Sequence, residues 1–514
     1  MEKVNLPISS VSIDGCRMVW FAIGCGLFLL SAALTGCIDV AAAPKLRSVG
    51  VERETPVMFG DQKSPLSDWP MFGGSPGRNM ANTIDKNIPA EWNVEEGQRK
   101  NIKWVAQLGS LAYGGPVISG GKVYVGTNAN SNGKAVLMAF NEADGKFLWR
   151  VVHDFPDDPL FNEARSAGLC STPIAHGKRI YYVAPGCEVV CADTAGKVLW
   201  TYDMMKELNV VPFHVANCSP LIAGDHLLLI TGNGRDGEGN LPSPQAPSFV
   251  AISKNSGKIA WQSNLPGDRI IEGQWSNPTL ATVNGKPQII FPGGDAVLYS
   301  FEPATGKLIW KCDCNPARTR QGPNNYFVGT PVVVGDKLYV GLGAAPDVGT
   351  PSKFSYFVCL DVTKQGDVSP KSFDAKAAVN KNSALVWAFG GMIDPPPAKG
   401  RKVAFGTTIS TAAIHDGLLY IPETTGYLHC LDARTGERYW EHYFKAAVWG
   451  SAYYVDGKVY VGTEDGEVVV FAAGKSRKVL ATVSMEEKVH STPVVANGVL
   501  YVMTRSKLFA IAGR

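Results

Sequence analysis

Net charge is nearly absent from this chain of 514 residues: 49 Lys and Arg face 46 Asp and Glu, leaving +3. Near the start Glu2, Lys3, Asp14 and Arg17 cancel one another, so the rest of the chain is close to neutral as well. That balance argues against a nucleic-acid partner held by bulk electrostatics. No Gly-rich phosphate loop, HExxH zinc helix or GxSxG elbow stands in a strand-to-helix context, and no CxxC pair offers two thiolates to a metal. Helix-period patterning is scarce, so helix content is expected to be low. The long apolar run, Met18 to Leu30, is too short and too N-terminal to read as a permanent membrane span.

What the chain does have is repetition. CLDARTGERYW, from Cys430 to Trp440, has counterparts in AFNEADGKFLW ending at Trp149, CADTAGKVLW at Trp200, AISKNSGKIAW at Trp261 and SFEPATGKLIW at Trp310, with Gly four residues before Trp in each. A second phrase accompanies it: small residues, an apolar strand, a tight turn and another strand, as in the stretches from Gly114, Ser171, Gly329, Ser410 and Ser491. Turns such as Gly120-Gly121, Asp416-Gly417, Asp456-Gly457 and Asn497-Gly498 mark β-hairpins. Together the phrases spell four short strands per repeat at a period of about 40 to 55 residues, the pattern of radial β-sheet blades.

Small-residue inner strands begin near Gly114, Ser171, Cys218, Ser276, Gly329, Ser410, Gly450 and Ser491, which predicts an all-β, eight-bladed β-propeller of four-stranded antiparallel blades over 101–514. The eighth copy runs out at Arg514, and Asn101 to Gln107, with Trp104, supplies the strand that would close the ring. Blade five departs from the pattern before Trp387, and blade seven lacks a closing Trp near Val479. Bulky side chains would collide where eight strands converge, so the small residues have a structural reason.

Ahead of the propeller, 1–36 reads as a signal peptide: Lys3 and Arg17 precede the apolar run, and small residues follow it. Residues 37–68 read as a polar tether with a reach on the order of 30 Å. The Trp69-Pro70-Met71-Phe72-Gly73-Gly74 stretch opens a segment, 69–100, expected to pack on the outside of the propeller. Removing Cys16, Cys25 and Cys37 leaves eight of the eleven cysteines, so disulfides are permitted in an exported chain; buried free thiols are the expectation for blades two to six. Cys187 and Cys191, about 13 Å apart on one strand, cannot pair with each other.

The repeats resemble those of the quinoprotein-dehydrogenase-like, or PQQ-like, propellers, whose tryptophan-docking motif has the spacing of Cys430, Asp432, Thr435-Gly436 and Trp440. On that resemblance Trp104, Trp149, Trp200, Trp261, Trp310, Trp387 and Trp440 are docking residues. The family includes the planctomycete-type PQQ-binding-like repeat proteins and an outer-membrane assembly lipoprotein that uses the fold without a cofactor. Leu34-Thr35-Gly36-Cys37 looks like a lipobox, which implies lipidation of Cys37; with Ile38 following, it implies an outer-membrane anchor facing the periplasm. The family's dehydrogenases stack pyrroloquinoline quinone (PQQ) between a Trp and a vicinal Cys-Cys disulfide, against a Ca²⁺. No vicinal pair and no CxxCH haem motif occur here; the nearest arrangement is Cys312-Asp313-Cys314.

Candidate binding residues are positional. The long loops Val151 to Gly168, Gly232 to Ser248, Lys311 to Val328 and Ala388 to Thr408 are where binding residues would concentrate. Arg165, His214, Glu272, Trp275, Arg318, Arg320, Asn324, Asn325, Trp449, Lys488 and His490 precede inner strands and would line a funnel mouth, cations converging between Trp walls on an acidic or quinone-like ligand. Solvated loops and tryptophans packed between blades are the structural alternative. Asp236-Gly237-Glu238-Gly239-Asn240 could wrap Ca²⁺ but lacks the distal Glu of a calcium loop, which favours a solvated turn. No catalytic residue and no metal ligand is assigned. The expectation is a cell-envelope, non-catalytic binding or assembly scaffold with envelope-protein partners. The alternatives are a PQQ- and Ca²⁺-dependent dehydrogenase of an alcohol or sugar, and a periplasmic ligand-binding or sensor module with a small molecule in the central funnel.

Overall fold

The computed structural model describes residues 67–129, 133–158, 161, 164–315, 325–343, 355–373 and 380–513. The signal peptide, Cys37 and the tether up to residue 66 lie outside the described residues, as do Arg318, Arg320 and Asn324. Eight antiparallel sheets follow one another along the chain, from Val117–Ser119 at the first inner strand to Lys507–Ile511 in the last blade. The eighth is completed by Ile102–Gln107, which pairs antiparallel with Lys507–Ile511, so the ring closes as the sequence predicts. The hairpin turns at 120–121, 416–417, 456–457 and 497–498 carry two successive positive φ angles each, the twist-matched type I′ geometry. Among the described residues the α-helical content is one short helix, Met204–Leu208.

The Gly-to-Trp spacing is explained by what each residue meets. Trp149 stacks over Gly196 of the next blade, where a Cβ would lie 2.6 Å from the ring, and its Nε1 donates to Thr194 O at 3.1 Å. Trp104 on Gly145, Trp200 on Gly257, Trp261 on Gly306 and Trp387 on Gly436 repeat the contact. On the ring's other side stands a tyrosine of the same blade's second strand: Tyr501, Tyr124, Tyr181, Tyr339 and Tyr420 lie 5.9 to 6.1 Å from Trp104, Trp149, Trp200, Trp387 and Trp440. At these junctions one blade offers its tryptophan forward and the next its glycine backward, so each of these indoles joins two blades.

Two irregular junctions keep the closure by other means. Blade five has no docking glycine for Trp310; Gly366–Asp367 instead pairs in parallel with Trp310 and Lys311 as a fifth strand on blade four. Trp310 turns its Nε1 to Gln288 Oε1 of its own blade at 2.8 Å. In blade seven Ala481 stands opposite Val470, where Trp440 stands opposite Cys430 in blade six. Trp92, from the N-terminal segment, is buried in that region and donates to Met485 Sδ at 3.1 Å.

The segment expected outside the ring instead starts inside it. Residues 69–82 run around the axis and meet the inner strands of all eight blades. Trp69 exchanges two backbone hydrogen bonds with Ile118 of blade one, and Pro70 O accepts from Ala175 N of blade two. Pro76 O, Gly77 O and Met80 O accept from Leu280, Val333 and Tyr454 of blades four, five and seven. Asn79 pairs with both backbone groups of Ile414 in blade six, and Asn82 Nδ2 reaches Val495 O of blade eight at 3.1 Å. Inner strand edges carry unpaired backbone groups, and a chain threaded past them satisfies those groups where water is excluded. Gly73 and Gly74 turn the plug at φ of 72° and 65°; a Cβ on Gly74 would sit 2.4 Å from the Trp69 ring.

At the centre lies Arg78, fully buried. It donates to Pro278 O, Phe72 O, Ser219 O and Pro220 O at 2.9 to 3.0 Å, which brings in blades three and four. Burial pulls its guanidinium down to about 10, still charged at neutral pH. Replacing it by an apolar side chain would leave buried carbonyls without donors, at about 1 to 3 kcal/mol each. Arg78→Met is expected to destabilise the fold by about 3 kcal/mol or more, and Arg78→Lys to recover only part of it, because an ammonium cannot span a planar fork of acceptors. Urea unfolding followed by tryptophan fluorescence measures both; an R78M midpoint equal to wild type would show that the buried cation does not hold the axis together.

Candidate functional site

The residue immediately before each small inner-strand residue faces one axial pocket. Tyr113, Cys170, Asn217 and Trp275 supply it from blades one to four, and Val328, Ile409, Trp449 and His490 from blades five to eight. The residues one place after the small positions make the ring beneath. Thr172 N donates to Ser219 Oγ, Ser219 N to Asn277 Oδ1, Asn277 Nδ2 to Thr330 Oγ1, Thr411 N to Ser451 Oγ and Ser451 N to Thr492 Oγ1, at 2.5 to 3.0 Å. Hydroxyls and one amide thus lock neighbouring blades at the radius where the chain has no room for larger groups. The pocket holds about 330 Å³, and Trp69, Phe72 and Met80 of the plug form its floor.

Of the residues singled out from sequence, His214, Glu272, Trp275, Trp449 and His490 come together in this pocket. Arg165 does not: on the turn Ala164–Ser166, its guanidinium donates to Pro156 O at 2.9 Å and stands 3.8 Å from Asp157. Lys488 is held by Glu464 at 2.6 Å. Neither Arg165 nor Lys488 joins the expected convergence of cations, Arg318 and Arg320 lie outside the described residues, and among the described residues no Lys or Arg lines the pocket. Asp236 accepts from the backbone N–H groups of Glu238 and Asn240 within its own exposed turn.

Sequence reasoning missed Tyr113, Phe213, Asn217 and Tyr326. Tyr113 and Asn217 occupy the same register as Trp275, Trp449 and His490, so reading one position before every small residue would have found them. Phe213 and Tyr326 sit further out on their loops, with no periodic signal.

Two aromatic groups face the pocket from opposite arcs of the ring. Tyr113 stacks on His490 at 5.3 Å with 10° between planes, and Trp449 lies about equally close to both. Across the axis Trp275 lies 5.4 Å from Phe213 and 5.7 Å from Tyr326. Tyr326 OH donates to Glu272 Oε2 at 2.5 Å. Burial pulls the His490 imidazole below its usual value and pushes the Cys170 thiol up to about 12, so both are neutral at pH 7. The eight described cysteines are free thiols, and the Cys312 and Cys314 sulfurs stand 4.0 Å apart, unbonded.

The fold is an eight-bladed β-propeller with one pocket on its axis. The chain belongs to the family described as outer membrane protein assembly factor BamB, whose pattern matches residues 133–363 and 374–514. BamB from Moraxella catarrhalis shares the fold at a TM-score of 0.51 and 14% identity, over 80% of this chain and 98% of that one. The quinohemoprotein alcohol dehydrogenase ADHIIG from Pseudomonas putida HK5 does so at 0.59 and 14%, over 86% and 80%. In sequence, the tetrathionate hydrolase of Acidithiobacillus ferrooxidans is 25% identical over 152 residues, which span 29% of this chain and only 25% of that protein.

Trp449 also borders a second, open pocket, lined by Arg401, Lys402, Tyr427, Tyr443 and Lys445 among others. Its wall rests on Glu423, which is fully buried and bonded by Arg401 through two nitrogens, by Thr425 Oγ1 at 2.8 Å and by His429 Nε2 at 2.6 Å. Burial alone would push this carboxyl up; the hydrogen bonds and charges of His429 and Arg401 outweigh it and hold it at about 2. A carboxyl lowered by folding stabilises the native state above its ordinary value of 4.5, and that contribution is lost as pH falls towards 2. Glu423→Gln is expected to lower stability at pH 7, with a ceiling on the order of 3 kcal/mol, and to flatten the fall in melting temperature between pH 4.5 and 2. Equal acid sensitivity in the variant, measured by thermal melts across that range, would contradict this account.

Proposed function

We propose that this protein is a non-catalytic binding scaffold of the bacterial cell envelope: exported, anchored through lipidated Cys37, and presenting its axial pocket to a partner or ligand in the periplasm. Membership of the assembly-factor family and the lipobox at 34–37 support the envelope setting. The observation that carries the choice of scaffold over quinone dehydrogenase is the composition of the pocket wall. PQQ is a tricarboxylate that needs cationic partners and, in the resembled enzymes, a Ca²⁺ held by carboxylates. Among the described residues lining the pocket, Glu272 is the single charged group, already bonded to Tyr326. The cysteines that would cover the quinone are not vicinal, and the plug residues Trp69 and Phe72 fill the axial floor. The described residues of the wall do not fit the cofactor.

Two measurements test this reading. Calorimetric titration of the detergent-solubilised full chain with PQQ, with and without Ca²⁺, is expected to show no saturable heat; stoichiometric Ca²⁺-dependent binding would restore the dehydrogenase. Cys37→Ala, expressed in a bacterium with a lipoprotein pathway, is expected to move the protein from the detergent to the aqueous phase on phase partitioning. Retention of the variant in the detergent phase would remove the lipid anchor.

A further inference from the structure

The axial pocket has polar atoms with nothing to bind. Asn217 Oδ1, Ser491 Oγ and both ring nitrogens of His490 are buried without a hydrogen-bond partner, and all three residues line this pocket. The Glu464 carboxylate stands 3.9 Å from His490 Nε2, beyond hydrogen-bond reach. The His490 side chain is only 9% exposed. Each such orphan is destabilising relative to a satisfied one. A set of them around one cavity marks a place where a ligand supplies the partners.

The kind of atom decides what that ligand carries. Asn217 Oδ1 and the Glu272 carboxylate only accept, the neutral His490 ring presents one acceptor and one N–H donor, and the Ser491 hydroxyl can do either, so the atoms of fixed role are mostly acceptors. The site therefore calls for donors. Its walls carry aromatic rings on two arcs, Tyr113 and Trp449 against Phe213, Trp275 and Tyr326, and an aromatic ring attracts positive charge to its face. The apolar floor of Trp69, Phe72 and Met80 keeps water away and strengthens that attraction. An anion would meet the Glu272 carboxylate and the electron-rich ring faces, with no described Lys or Arg in the wall to offset them.

We propose that the axial pocket binds an organic cation bearing N–H donors, a protonated amine or guanidinium, carried either by a free small molecule or by the side chain of a peptide partner. The proposal rests on the reading of this pocket as a binding site. Glu272 is the counter-ion, the two aromatic arcs sandwich the cationic head, and Asn217, Ser491 and His490 take its hydrogens.

The test titrates the detergent-solubilised full-length protein with agmatine and, separately, with an end-blocked Gly-Arg-Gly peptide, reading tryptophan fluorescence, since Trp69, Trp275 and Trp449 line the pocket. Saturable change with at least one probe is expected: agmatine alone identifies a free cation, the blocked peptide alone a partner side chain. Glu272→Gln is expected to weaken the binding about tenfold or more, while Lys402→Gln, outside the pocket, leaves it unchanged. Should E272Q fail to fold, Trp275→Leu is the second variant and is expected to weaken binding about fivefold or more by removing one π face. No saturable change with either probe, or undiminished affinity in a folded E272Q, overturns the proposal. Saturable binding of succinate or glucose in place of the cations also overturns it, yet leaves the pocket a binding site and the scaffold reading intact.

Discussion

Closing a ring of eight sheets leaves an axis that must be filled, and in this protein a single buried cation fills it. The inner strands cannot carry large side chains where they converge, so they carry Gly, Ser and Cys, and the space those residues leave is larger than they can occupy. The N-terminal segment enters that space and places Arg78 against carbonyls of blades three and four and of its own turn. A guanidinium suits the position because it offers five donors in one plane and is more weakly hydrated than an ammonium. The backbone and the asparagine side chains on either side of Arg78 pair with the inner strands of the remaining blades, so the plug and the ring depend on each other.

The axial pocket follows from the same arrangement. Because the plug seals the axis from below, the residues above it form a blind pocket with a dry floor, where weak electrostatic preferences count for more. Small residues at the inner strands set the radius, and the residue before each of them is free to differ from blade to blade. Variation between blades is concentrated at that one register position and in the loops leading to it, while the tryptophan-docking geometry farther out stays nearly constant. A propeller of this kind can vary its pocket wall without disturbing its fold.

Much of the architecture was legible in the chain. The spacing of Gly145 and Trp149, repeated along the sequence, carried the blade count, and the unpaired copy at Asn101 to Gln107 carried the closure, since both are local patterns imposed by one recurring contact. The irregular junctions were visible only as gaps: a missing glycine in blade five and a missing tryptophan in blade seven said that something else must act there, without naming Gly366–Asp367 or Trp92. At the site, Trp275, Trp449 and His490 were found because they are conspicuous residues at a periodic position. Arg165 was assigned wrongly because its place in the register did not reveal that Pro156 and Asp157, in its own loop, would take its guanidinium.

The sequence by itself determined the repeat, the number of blades, the strand that closes them and the small residues around the axis, because each is a periodic demand of strand geometry and close packing. The tertiary structure alone decided that residues 69–82 lie inside the ring, that Arg78 is buried among carbonyls, and that Glu272, Trp275 and Trp449 line one axial pocket. Those outcomes depend on contacts between residues hundreds of positions apart, such as Asn82 with Val495, and no local pattern encodes which distant backbone group will meet a given side chain.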